Sequence, residues 1–142
     1  MKVARGCAAL VWGVLALSCG RHLYNADDLQ VDAFKHNTDL RWGRLENAAQ
    51  RVTPEMRRAF VTSWVQRSSE IELQDIEITG MDISVDGDAA DLGIVITWVD
   101  RETMAVKVTP VTEHWVRTDD GWRCSQPATL PVTVSPATPP LE

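Results

Sequence analysis

Apolar positions along the chain follow three patterns in turn. An unbroken apolar stretch runs from Cys7 to Leu17, softened only by Gly13, and follows the positive charges of Lys2 and Arg5. At ~1.5 Å per residue it reaches about half of a ~30 Å hydrocarbon core, so it suits the centre of a secretory signal over residues 1–18 and not a stable span. From Asp27 to Val52, Leu29, Ala33, Phe34, Leu40, Leu45, Ala48, Ala49 and Val52 recur at intervals near 3.6. This predicts helix, with a break between Asn37 and Gly43 where Asn, Thr, Asp and Gly cluster. Thr53-Pro54-Glu55 opens another helix, since Thr can cap, Pro suits the first helical position and Glu complements the amide dipoles. Its core face is Met56, Phe60 and Trp64 beside Val61 and Val65, with Arg57, Arg58, Thr62 and Arg67 off the stripe.

Beyond residue 70 the period becomes two. Ile76 and Ile78, then Met81, Ile83 and Val85, alternate on either side of Gly80, where the phase slips and a bulge is expected. Asp86-Gly87 is a hairpin turn signal leading into Leu92, Ile94, Ile96 and Trp98. Residues 100–103 return the chain into Met104, Val106 and Val108. Past Pro110 the apolar phase moves to Val111 and Trp115, which predicts a second bulge or bend. Thr118-Asp119-Asp120-Gly121 then turns into a short strand with Trp122 and Cys124. Helices followed by such strands give an α+β class, N-terminal helices packed on a four-stranded antiparallel meander sheet over residues 27–126. Five of the seven prolines lie in residues 127–142, which have no period and are expected to be a disordered, extended tail.

The residues after the apolar run decide the export class. Leu15-Ala16-Leu17-Ser18-Cys19 resembles the bacterial lipobox, in which a small residue precedes a lipidated cysteine. Ser18 and Cys19 match directly; Ala16 departs from the Leu most often found three places before the cysteine. The resemblance implies cleavage after Ser18, a thioether-linked diacylglycerol at Cys19 with three acyl chains in all, palmitate among them, and a tether over residues 19–26. With ~0.8 kcal/mol per buried methylene, three acyl chains make attachment effectively permanent. Gly20, where an Asp would favour inner-membrane retention, leans the expected location in the cell envelope toward the outer membrane. Ala16-Leu17-Ser18 also permits ordinary cleavage of a soluble secreted protein, but that leaves Cys19 as an exposed thiol prone to oxidation.

Composition narrows the function classes. The 142 residues suffice for one domain, and with 44% hydrophobic and 24% charged residues they describe a globular chain. Three cysteines give no disulfide framework, and with Cys7 cleaved off and Cys19 lipidated only Cys124 is left with a free thiol. Residues 29–68 carry 7 basic and 4 acidic side chains, whereas residues 69–142 carry 4 basic and 14 acidic ones. Such an acidic balance argues against nucleic acid, and the basic half could face anionic lipid headgroups while the acidic half faces water.

The segment Arg41-Trp42-Gly43-Arg44-Leu45-Glu46-Asn47-Ala48-Ala49, the Thr53-Pro54-Glu55 helix and the Trp115-Val116-Arg117 to Asp120-Gly121-Trp122-Arg123 hairpin look like a group of uncharacterised bacterial lipoproteins. More distantly, the order of elements is similar to the nuclear-transport-factor-like, cystatin-related fold, in which a curved antiparallel sheet wraps helices into a cone. That resemblance implies isomerases, polyketide cyclases, hydrolases or pure protein-binding modules, so it carries little function.

The candidate chemistry is sparse. His36 and Asp39 stand three apart on a helical segment, and His114 lies beside Glu113 on a strand; each is a weak candidate acid or base. The single Tyr24 falls in the tether, so the Tyr and Asp pairing of cone-fold isomerases has no match. His22, His36 and His114 have no metal-ligand spacing, no motif implies a cofactor, and Cys124 reads as a small core residue. Trp42, Trp115 and Trp122 are candidates for an interaction surface, because they are less committed to the apolar phase than Trp64 and Trp98. The resulting expectation is a lipid-anchored, non-enzymatic envelope module that binds or positions another envelope protein. The alternative is a cone-fold enzyme or small-ligand binder with a pocket between sheet and helices. The two differ in whether the cone holds an open pocket with a converging His or Asp, or is plugged by Met, Phe and Trp.

Overall fold

Asp27 and Asp28 occupy the first turn of helix α1 (Ala26–Arg41) and Arg41 its last, each charge placed where the amide dipoles favour it. The computed structural model describes residues 26–130. The signal, Cys19 and the tether before Ala26, and the tail from residue 131 lie outside the described residues. Gly43 ends α1 at a positive φ of 69°, donating its N–H to the Leu40 carbonyl while Arg44 donates to that of Asp39. The break predicted over 37–43 therefore narrows to residues 42–44. Asn37, Thr38 and Asp39 stay helical because packing and ion pairs hold them, overriding their preference for turns.

Helix α2 (Leu45–Ala49) leads to α3 (Pro54–Arg67), with Pro54 in the first turn. Thr53 sits at the cap position, but its hydroxyl makes no capping bond and is buried without a partner. The face of α3 is as expected at Phe60 and Trp64, which are buried. Val65 on α3 and Phe34 on α1 are instead exposed, at 55% and 65%. The sheet covers one stripe of each helix, and these two residues lie beyond its reach.

Strands β1 (Ile71–Ile83), β2 (Ala89–Asp100), β3 (Val106–Thr118) and β4 (Gly121–Gln126) form one antiparallel sheet in the order β1-β2-β3-β4. The first strand begins five residues before Ile76, and its pairing with β2 shifts between Ile78 and Gly80, as the slip at Gly80 predicts, and again between Leu73 and Asp75. The irregularity expected past Pro110 lies between His114 and Trp115, in the pairing of β3 with β4, and not at Pro110 itself. The β2–β3 ladder runs without a shift from Ala89 opposite Val116 to Val99 opposite Val106, passing Val95 opposite Pro110. The phase change has a different cause: Val106 and Val108 lie on the exposed outer face, while Lys107 and Thr109 share the inner face with Val111, Glu113 and Trp115. Lys107 serves there by laying its ammonium over the Trp98 ring, 4.9 Å from the centroid, and Trp98 Nε1 donates to Thr109 Oγ1.

The inner face of β2 (Ala90, Leu92, Ile94, Ile96 and Trp98) packs with Trp115, Trp122 and Cys124 against Leu29, Ala33, Leu40, Phe60 and Trp64. Ala128 and Leu130 join this core, and Arg67 Nη2 donates to the Leu130 carbonyl at 2.6 Å. The packed chain thus runs past the boundary at residue 126, because two residues of the predicted tail, Ala128 and Leu130, are buried in the core. The chain entering α3 is bound to β4: Val52 bridges Cys124, with Thr53 N–H donating to the Cys124 carbonyl and Cys124 N–H to that of Arg51.

Candidate functional site

Two places could carry chemistry: the interior between the helices and the sheet, and a groove on its flank. Strand alternation turns Glu113 inward between Val111 and Trp115, opposite Leu92. There it meets His36 of α1, with His36 Nε2 3.7 Å from Glu113 Oε1 and both side chains fully enclosed. Trp115 Nε1 donates to Glu113 Oε2 at 3.1 Å, and the Ala128 N–H approaches Oε1 at 3.5 Å. His36 Nδ1 lies 2.9 Å from the Ala48 carbonyl; a carbonyl only accepts, so Nδ1 carries the hydrogen. Nε2 then either bears a second proton beside a carboxylate or faces a neutral carboxyl group. The aromatic rings of Phe60 and Trp115 stand 5.4 and 5.6 Å from the imidazole.

Burial pushes the Glu113 carboxyl above the ordinary carboxylate range, opposed mainly by the neighbouring His36. The Cys124 thiol is also raised, by its own burial and then by the charge of Glu113. A raised thiol leaves little thiolate, so Cys124 is chemically inert at neutral pH. At 3.7 Å the two groups stand beyond hydrogen-bond distance, His36 Nε2 is buried without a hydrogen-bond partner, and no substrate reaches either group. The arrangement ties α1, α2, β3 and the segment after β4 together.

The other candidates are placed elsewhere. Asp39 does not pair with His36; its carboxylate takes Arg44 at 2.7 Å and Arg51 at 3.3 Å, while Arg51 also reaches Asp32, whose Oδ2 accepts from the Trp122 N–H. Asp39 therefore pins α1 to the chain that follows it. His114 lies on the outer face of the sheet, 2.6 Å from Asp91 on the neighbouring strand. Trp115 and Trp122 are fully buried core residues, so neither offers surface to a partner. Trp42 is 65% exposed. Among the described residues, no three His, Cys, Asp or Glu side chains converge as a metal-ligand set. Glu113 is the residue that sequence reasoning passed over, noting it only as a neighbour of His114. The signal for it was its spacing of two from both Val111 and Trp115, which places a carboxylate in the apolar phase.

A groove of about 740 Å³ opens between α1 and β1. Val31, Phe34 and Trp42 line its helical wall and Ile76 and Ile78 its strand wall, with Asn37 buried between them. Neither the oxygen nor the nitrogen of the Asn37 amide has a hydrogen-bond partner. Arg41 Nη1 crosses the groove to Asp75 Oδ1 at 3.1 Å, and its guanidinium lies 5.5 Å from the Trp42 ring centroid.

No protein-family model matches this chain, and no curated protein is similar to it. Solved structures are. A ketosteroid isomerase-like protein from Erwinia carotovora atroseptica aligns over 70% of this chain and 89% of its own, at a TM-score of 0.55 and 12% identity. A candidate polyketide cyclase from Xanthomonas campestris aligns over 70% and 88%, at 0.55 and 13%. The domain has the nuclear-transport-factor-like cone fold. A candidate calcium/calmodulin-dependent kinase II association domain from Exiguobacterium sibiricum is as similar, at 0.55 and 13% over 71% of this chain and 89% of its own. At such identities the likeness extends to the fold alone, and the three proteins are named as an isomerase-like protein, a cyclase and an association domain.

Proposed function

We propose that this is a lipid-anchored protein of the bacterial envelope, held at the outer membrane, whose cone domain binds another envelope protein and does not catalyse a reaction. The observation that supports the non-catalytic reading is the filled cone: Phe60, Trp64, Trp115 and Trp122 occupy its interior and enclose His36 and Glu113 completely. A catalytic acid or base must come within hydrogen-bond reach of a substrate, and this pair touches only protein. The anchor rests on Ser18-Cys19 after the apolar run, and the outer-membrane location on Gly20. Among the described residues no helix is long and apolar enough to cross a membrane, so the attachment in this reading is made by lipid at Cys19.

The test is complementation of a strain lacking the protein. Glu113→Gln keeps the shape of the side chain and removes its acid–base chemistry; it is expected to fold and to restore the deletion phenotype. Cys19→Ala is expected to lose the lipid mass and to leave the membrane fraction. A folded Glu113→Gln protein that fails to complement would favour the pocket reading, and a Cys19→Ala protein that stays membrane-bound would remove the anchor.

A further inference from the structure

We propose that the groove between α1 and β1 binds an extended peptide segment of balanced charge, seating a large apolar side chain against Phe34, Ile76 and Ile78 and pairing one peptide group with the Asn37 amide. This rests on the binding-module reading and names its ligand. The unpartnered amide selects the chemistry. Asn37 is 3% exposed, and both its oxygen and its nitrogen lack partners, so the folded chain carries the desolvation cost of a donor and an acceptor side by side. A peptide group offers the matching acceptor and donor. A carboxylate or phosphate would satisfy the nitrogen alone, and an acyl chain neither atom.

The ion pair that spans the groove can open. Arg41, one helical turn further on, spans the groove to Asp75, and both side chains are about half exposed. Exposed ion pairs of this kind add little stability, so a ligand can part them at small cost. The walls carry opposite signs, Lys35 and Arg41 on the helix and Asp75 and Glu77 on the strand. Their sum is neutral, which disfavours a ligand of one sign and gives a peptide with one acidic and one basic residue a preferred direction. Phe34 and Trp42, each 65% exposed, supply aromatic anchors beside an arginine, the residue types that dominate binding energy at interfaces. Strand addition along β1 is a poorer fit. Its regular stretch next to the groove lies between two register shifts, and the Ile76 N–H is already bonded to Asp75 Oδ1.

A phage-displayed library of 12-residue peptides selected on the full chain in detergent tests this, followed by titration of the best synthetic peptide against Trp42 fluorescence. The expected consensus contains a large apolar residue. Phe34→Asp should weaken binding at least tenfold. Asn37→Leu should weaken it about tenfold while leaving the melting temperature unchanged or raised, since an apolar isostere relieves two unpartnered atoms; a purely structural Asn37 would move stability and not affinity. Phe34 is exposed, so Phe34→Asp carries the test alone should Asn37→Leu misfold. The proposal is overturned if no peptide is enriched, if the selected peptide binds Phe34→Asp as it binds the natural chain, or if dodecanoate binds more tightly than the peptide and displaces it. Each of these failures leaves the outcome of Glu113→Gln complementation untouched, so the ligand and the binding-module reading fail separately.

Discussion

Glu113 on β3 and His36 on α1 face each other across 3.7 Å in the cone, and neither touches solvent. Removing the Glu113 carboxyl leaves buried polar groups without a partner, which costs ~1–3 kcal/mol. Glu113→Ala orphans Trp115 Nε1, so it should destabilise by about that much in urea unfolding, whereas Glu113→Gln, which retains an acceptor, should cost about 1 kcal/mol. The sign of the pH dependence follows from the raised carboxyl. The folded chain holds the Glu113 proton where the unfolded chain, at the ordinary value of 4.5, releases it. Stability should therefore fall as pH rises from 4.5 toward the raised value, and Glu113→Gln should remove that fall.

Trp64 fills the space between α3 and the sheet and is 4% exposed. Trp64→Ala should cost ~3–5 kcal/mol, a large part of the stability of an ordinary domain, measured by chemical denaturation. A loss under ~1 kcal/mol would place the core on another face of α3.

The Cys124 thiol is enclosed and held well above its ordinary value by burial and by Glu113. A thiol-specific reagent such as dithionitrobenzoate should leave it unmodified in the folded chain at neutral pH and react fully in denaturant. Fast labelling under native conditions would mean that β4 opens locally.

Asp100 is held down to about 2 from 3.8, first by its hydrogen bond with Lys107 and then by the backbone N–H of Thr103. A depressed carboxyl stabilises the fold above its unfolded value and loses that contribution as pH falls between 3.8 and 2. Acid unfolding of Asp100→Asn should be flatter than that of the natural chain in this window and parallel to it above.

Much of the fold was legible because period alone separates helix from strand. Phe60 and Trp64 could be placed on the core face of α3, and Gly80 at an irregularity in β1, from spacing. Val106, Val108 and Lys107 could not be assigned to their faces, because an apolar residue on an open outer face and a lysine stem over Trp98 invert the usual code. Phe34 belonged to the helical pattern but not to the core, since period identifies an apolar stripe without saying how wide a stripe the sheet will cover. The Glu113–His36 pair joins residues 77 apart in sequence, and no local pattern encodes that meeting. Asn37 reads as a helix breaker, and its unsatisfied amide becomes visible only when the neighbouring side chains are in place.

The two margins of the sheet differ. The margin at β4 is occupied, since Arg51, Val52 and Thr53 lie along Cys124 and take up its backbone groups. The margin at β1 carries Glu72, Asp75, Glu77 and Asp82. If two molecules approached each other β1 to β1, like charges would meet along the contact, and approach to β4 would find it taken. The fold thus resists lengthening its own sheet from one molecule to the next, however closely its copies are crowded.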